Sequence, residues 1–282
     1  MRHSLWSDAR YRLQKNKLAT FSFYFLLFEV IIFFLVPLLL GLNFEAQDLE
    51  KTLSSPALAH WFGTDSLGRD LFSRVLFGGR VSLTVGLLAS LVSAVVGVVY
   101  GSLAGFLGGK WDNILMRIVD ILYALPFIFL VIILMVYFGR NFILLFVALG
   151  LTQWLTMARI VRGQVLSLRK KEFIEAAKVT GIHRWRLIFK HLIPNTLGPV
   201  IVYLTLTVPA VILEEAFLSY LGLGVQAPLA SWGTLIKDGV DVMDIAPWML
   251  FFPALFLSAT LFSLNFLGDG LRDALDPKGA KD

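Results

Sequence analysis

Few residues in this chain have the chemistry of a reaction centre, and none are spaced for one. The four histidines, His3, His60, His183 and His191, form no His-x-x-His or His-Glu-x-x-His pattern, so no zinc site is expected. Cysteine is absent, which removes disulfides, thiolate ligands and thiol nucleophiles together. There is no Gly-x-Ser-x-Gly elbow and no phosphate-cradling Gly-x-x-x-x-Gly-Lys-Ser/Thr loop, so the chain lacks the P-loop route to ATP hydrolysis. Glu29, Asp120, Glu214 and Glu215 lie in or beside long apolar stretches, where a charge is costly and usually functional. Asp120 follows Arg117 by three residues, a helical spacing that allows a pair. No relay of carboxylates and bases runs through these stretches, as a proton-coupled carrier would often show. No catalytic, cofactor-binding or metal-binding residue is expected.

The apolar stretches set the frame. Of the 282 residues 57% are hydrophobic and 16% charged, with a mean hydropathy of +0.75. Soluble domains average about 25% charged residues. A globule of this size has too little interior to hide the excess, so part of its solvent is lipid. Six stretches are long enough to cross a bilayer: residues 21–42, 81–107, 118–138, 142–160, 196–217 and 245–267. The first is too long for a signal peptide and no cleavage site follows it. With the N-terminus inside, 19 of the 25 Lys and Arg fall on the cytoplasmic side and six outside. That positive-inside asymmetry places both termini in the cytoplasm, and it accounts for the net charge of +5 without a nucleic-acid partner.

The expected protein is therefore an all-α integral membrane protein of a single domain over residues 21–270. A cytoplasmic tail (1–20) precedes it, either as an interfacial helix or as a flexible basic segment. An extracytoplasmic segment (43–80), a cytoplasmic loop (161–193) and a C-terminal tail (271–282) complete the layout. The second span carries Gly97, Gly101 and Gly105 at four-residue spacing, one helix face on which two backbones can approach closely. That contact could be made within the chain or with another subunit. Pro37, Pro126, Pro209 and Pro253 fall within spans, where each removes a backbone donor.

The loop at 161–193 is the most informative segment. Lys171 to Val179 contains strong helix formers, and Gly181 follows as a stop. A second short helix begins at His183. Its Trp185, Ile188, Phe189 and Leu192 fall at i, i+3, i+4 and i+7, with Arg184, Arg186, Lys190 and His191 opposite, and Pro194 is expected to end it. Such a helix could lie on lipid headgroups, or offer an apolar ridge to a groove in a cytoplasmic partner.

Glu175-Ala176-Ala177, then Gly181, then Leu192-Ile193-Pro194 resembles the EAA motif of binding-protein-dependent ABC importer permeases. His60 to Leu83 (HWFGTDSLGRDLFSRVLFGGRVSL), Phe217 to Gly233 (FLSYLGLGVQAPLASWG) and Leu267 to Pro277 (LGDGLRDALDP) resemble further signatures of the peptide branch, so the likeness runs from about Phe21 to Lys278. It is nearest to the second, C-type, permease of dipeptide and oligopeptide importers, some of whose relatives carry nickel, opines, glutathione or sugars. Ala227-Pro228-Leu229-Ala230 departs from it, where relatives are often richer in proline.

The resemblance implies a type I importer permease fold in the bacterial inner membrane. It also implies a second permease chain, usually a distinct one, two ATPase subunits that hold ATP and magnesium, and an extracytoplasmic solute-binding protein. It assigns Glu175 as hinge and anchoring contact, Ala176 and Ala177 as close-approach positions, Gly181 as the turn, and Trp185, Ile188 and Phe189 as buried anchors in the ATPase. The translocation path is left unassigned. The rival expectation is an ATP-independent carrier or channel, which would need selectivity groups inside the spans. A membrane-embedded enzyme and a scaffold without transport are the remaining rivals.

Overall fold

The computed structural model describes residues 5–139 and 141–275. Arg140 of the charge count, residues 1–4 of the N-terminal tail and residues 276–282 of the C-terminal tail lie outside the described residues, as does the end of the 267–277 signature. Among the described residues the regular elements are all helical. They are α1 (Leu5–Lys15), α2 (Lys17–Leu39), α3 (Leu71–Leu107), α4 (Gly109–Tyr123), α5 (Phe127–Phe138), α6 (Phe142–Leu168), α7 (Glu172–Val179), α8 (Arg184–Leu187), α9 (Ile193–Tyr220), α10 (Trp232–Val240) and α11 (Trp248–Leu275).

Five helical stretches are long and apolar enough to cross a membrane by themselves, and α4 with α5 makes a sixth if that bent pair is one span. The third apolar stretch (118–138) is thus not the continuous helix its composition suggests. Pro126 has no N–H to give and restricts Leu125, and the chain turns 84° between α4 and α5. The second stretch starts at Leu71 rather than Val81. Asp70 caps it by accepting the Ser73 N–H at 2.8 Å, and 37 residues of helix rise about 55 Å, so its first turns stand outside the hydrocarbon. The fourth stretch runs on to Leu168, carrying the helix into the segment expected as loop. The sixth begins at Trp248 and extends through Leu275, past the expected boundary at 270. The N-terminal segment forms α1, and Asn16 breaks it from α2 by capping Ala19 at 3.2 Å.

α3 is the spine. It packs most extensively on α6, then on α9, while α11 joins α9 to α2 at the periphery. The glycine stripe of α3 faces α6, which settles the open choice in favour of a contact within the chain. A methyl group added at Gly97 would meet the Met157 side chain at 2.6 Å, and one at Gly105 would meet Val165 at 2.9 Å. At Gly101 it would overlap the Ala158 carbonyl. Gly150 returns the approach from α6, against the Ala89 carbonyl at 2.8 Å.

Polar contacts fix the rest. Arg162 makes a bidentate bond to Asp112 (2.6 and 2.7 Å), tying α4 to α6. Asp120 pairs with Arg159 across the same two helices at 2.9 Å, not with Arg117 on its own helix. The i, i+3 neighbour lost because α6 brings a guanidinium to the carboxylate while its plane also covers the Tyr123 ring. Outside, Asp65 accepts the N–H groups of Leu67 and Arg69 (2.8 and 2.9 Å), and its other oxygen takes Arg69 Nε and the buried Arg74 guanidinium. Trp232 of α10 plugs the adjacent core, edge-on to Phe33 and donating to the Val75 carbonyl at 3.1 Å.

The close approach of α3 to α6 has a measurable consequence. Gly101→Val should destabilise the detergent-solubilised protein by about 2 kcal/mol or more, the range of overpacking in a tight core. Gly163→Ala on the open side of α6, where an added methyl meets nothing within 4 Å, should leave the thermal midpoint equal to or above that of the wild type, because alanine is the better helix former. Equal midpoints for the two variants in a thermal unfolding assay would refute the contact.

Candidate coupling site

The segment from Lys171 to Pro194 folds into two helical pieces joined by a glycine turn, laid against the cytoplasmic ends of α3, α6 and α9. In α7 the periodicity puts Ile174 and Ala177 inward and leaves Glu172, Phe173, Glu175 and Ala176 exposed. Ile174 is fully buried among Val161, Val165, Leu187 and Leu192, so this core holds the loop to the spans. The EAA triplet is therefore divided. Ala177 packs into the chain itself, whereas Glu175 and Ala176 face outward and remain available to a partner.

Gly181 closes α7 with φ +76, the left-handed conformation that only glycine adopts without strain. Its N–H donates to the Lys178 carbonyl at 3.1 Å and the Ile182 N–H to the Ala177 carbonyl at 3.2 Å. These two bonds form a Schellman motif and satisfy carbonyls that the helix end leaves open. The space where a side chain at position 181 would project is empty. A substitution there costs backbone strain of about 1 kcal/mol and alters the outer surface without disturbing the core.

The second piece departs from expectation. Pro194 does not end a separate helix: the stretch Arg184–Tyr220 is one 37-residue apolar helical unit, passing through a π-turn at Ile188–Leu192. Pro194 sits in the first turn of α9, where a missing N–H is tolerated, and the widened turn just before it makes room for the ring. The Asn195 side chain covers the His191 carbonyl at 2.6 Å. The apolar face is divided. Ile188 is 4% exposed and joins Leu187 and Leu192 in the chain's own core, so it is not an outward anchor. Trp185 and Phe189, each 54% exposed, stack on one another with ring centroids 6.2 Å apart.

The outward surface is thus Phe173, Glu175, Ala176, Val179, Gly181, Trp185 and Phe189, bordered by Arg184, Arg186 and Lys190. Phe173 and Val179, the latter 88% exposed, were missed from the sequence; their six-residue spacing places them at the two ends of α7's outer face. Behind this surface, Arg169 reaches from the end of α6 to the Gly105 carbonyl at 2.9 Å, so the glycine stripe and the loop share a support.

The loop thus presents an apolar ridge with a basic border, fastened to the spanning helices. A sequence profile for the inner membrane component of binding-protein-dependent transport systems matches residues 97–281. The chain belongs to that family. A second profile, for the N-terminal transmembrane domain of oligopeptide transport permease C, matches residues 4–56. The oligopeptide transport system permease protein OppC of Escherichia coli K12 is 53% identical over 277 residues, 98% of this chain and 92% of that protein. The dipeptide transport system permease protein DppC of Bacillus subtilis is 49% identical over 276 residues, 98% of this chain and 86% of that one. The glutathione transport system permease protein GsiD of Escherichia coli O6:K15:H31 is 39% identical over 281 residues, 98% and 90% of the two chains. This permease is a multi-pass subunit of an ABC importer, not an enzyme, and it works with a solute-binding protein and a separate ATPase.

The division of the apolar face separates two kinds of variant. Trp185→Ala with Phe189→Ala should lower recovery of the ATPase with the permease in a mild-detergent pull-down by about tenfold or more, as loss of two aromatic anchors does. Ile188→Ala should instead lower the permease's thermal midpoint, at a cost of about 2–4 kcal/mol for a buried residue. If Ile188→Ala alone releases the ATPase from a folded permease, the assignment of faces is wrong.

Proposed function

We propose that this permease forms one of two transmembrane halves of an ATP-driven importer of di- or oligopeptides. The second half is a related but distinct permease chain, and two ATPase subunits hold ATP and magnesium, so that this chain binds no cofactor of its own. The peptide reading is supported most by one observation, the 53% identity to an oligopeptide permease across nearly the whole of both chains. The folded loop supports the mechanism. When ATP closes the ATPase pair, the outward residues of α7 and α8 move with their seats. Because α8 is continuous with α9 through the π-turn, the displacement passes straight into a spanning helix. Glu175 acts as an anchoring contact at the ATPase and not as a base: it stands exposed in the first turn of α7, where the helix dipole favours a carboxylate. Ala176 gives close approach to the partner, and Ala177 gives it to the chain's own core.

Glu175→Lys and Gly181→Asp each change only the outer surface of the loop. In proteoliposomes holding the complete complex, both should cut trialanine uptake at least tenfold while the permease still inserts and ATP is still hydrolysed. Gly181→Asn, which accepts the left-handed conformation and adds no charge, should fall between Gly181→Asp and the wild type. Normal uptake by Glu175→Lys or Gly181→Asp in an assembled complex would overturn the coupling role. Trialanine uptake by this chain alone, without companions or ATP, would overturn the proposed function altogether.

A further inference from the structure

The break between α4 and α5 opens a cavity of about 370 Å³ against α6 and α9, lined by Tyr123, Leu130, Thr152, Gln153, Thr156 and Glu214 among others. Irregular backbone at membrane depth is tolerated only where it is buried in protein or lines a watery cavity. Here the helix hydrogen-bond ladder stops at Pro126: Phe129 and Leu130 turn their N–H groups back to the Pro126 carbonyl, so the carbonyls just before the bend lose their forward partners. Gln153 lies near the middle of α6, about 17 Å along the helix from Phe142. Its side-chain amide donates to Glu214 Oε1 at 2.6 Å and fixes the carboxylate. The other oxygen, Glu214 Oε2, is buried with no hydrogen-bond partner among the described residues. Glu214 is the one carboxylate in the cavity lining.

A path that admits many peptides cannot recognise side chains. It can recognise only what all peptides share, which is backbone amides, a carboxylate end and an ammonium end. A fixed carboxylate with one free oxygen and two threonine hydroxyls lining the same cavity offers acceptors, as an ammonium with three N–H donors requires.

We propose that Glu214 and this cavity form a subsite of the translocation path that takes the cationic amino terminus of the peptide in transit. The proposal rests on the peptide reading above. Glu215, the next residue, has no part in it: it points the other way, fully buried, and bonds Ser82 and Ser219 at 3.2 and 2.6 Å.

The test uses the complete importer in proteoliposomes, with trialanine as cargo and with tripeptides bearing a photoreactive diazirine on either the first or the last residue. Glu214→Gln keeps the Gln153 contact within reach and removes the charge. It should lower maximal trialanine uptake at least tenfold, with fewer peptides delivered per ATP, and Glu214→Asp should recover part of the loss. Photolysis during turnover should label residues 122–130 or 152–156 from the first-residue probe more than from the last-residue probe, and Glu214→Gln should abolish that preference. Unchanged uptake by Glu214→Gln, or equal labelling from both ends, would overturn the subsite while leaving peptide import standing. Loss of the second permease from the Glu214→Gln complex would overturn it too, by showing that the carboxylate pairs with that subunit. No trialanine uptake by the wild-type complex would instead sink the peptide reading itself.

Discussion

In hydrocarbon no expelled water drives helices together, so van der Waals contact must do most of that work. The approach of α3 to α6 is where this chain obtains it. Gly97, Gly101 and Gly105 bring one backbone against Trp154, Ala158 and Arg162 of the other, and Gly150 repeats the device from the opposite side. The other parts of the permease are referred to this pair. α4 is tied to α6 by Arg162 and Asp112, α9 lies against both members, and Arg169 secures the end of α6 to the last glycine of the stripe. A stripe of small residues is common in membrane proteins of every function. Its consequence here is a rigid pair against which other elements can move.

In the proposed mechanism, what moves against it is the unit Arg184–Tyr220. At about 1.5 Å per residue it is about 55 Å long, and it carries the exposed Trp185 and Phe189 near one end and Glu214 and Glu215 near the other. A lever must be stiff along its length and able to yield at one place. The π-turn at Ile188–Leu192 is that place, because a widened turn can tighten toward α-helical geometry without breaking the chain. The Schellman turn at Gly181 folds α7 back onto the same core, so both pieces of the loop press on α9 together.

Much of this was legible in the sequence because it depends on local chemistry. Apolar run length gave the spans, and Gly181 the turn. Failures came where tertiary contacts outvoted local pattern. Pro126 was one of several prolines within apolar stretches, and composition does not distinguish a gentle kink from an 84° bend. Ile188 shares an i, i+3, i+4 spacing with Trp185 and Phe189, yet it stands at the edge of that face beside Leu187, and the packing of α6, α7 and α9 covers both. Asp120 found Arg159 rather than Arg117 because α6 lies alongside, which no helical wheel of α4 can reveal.

The adjacent carboxylates of α9 show how far a single helical step separates two fates. Glu215 faces α3, whose Ser82 donates to it; Ser219, one turn on along α9, donates to its other oxygen and is itself met by Ser231 at the cap of α10 at 3.2 Å, so each carboxylate oxygen has a partner. Glu214, turned by about 100° on the same helix, faces the bend between α4 and α5 with one oxygen held and one left open. A carboxylate fully satisfied within the chain serves the fold. One half satisfied at membrane depth keeps an acceptor in reserve, and the cost of desolvating it is recovered only when a donor arrives. The helix that bears both is continuous with the loop and, in the proposed mechanism, is the helix the loop drives. Motion at the loop would therefore alter how long that open acceptor faces its cavity, while the pinned neighbour sets the point about which it turns.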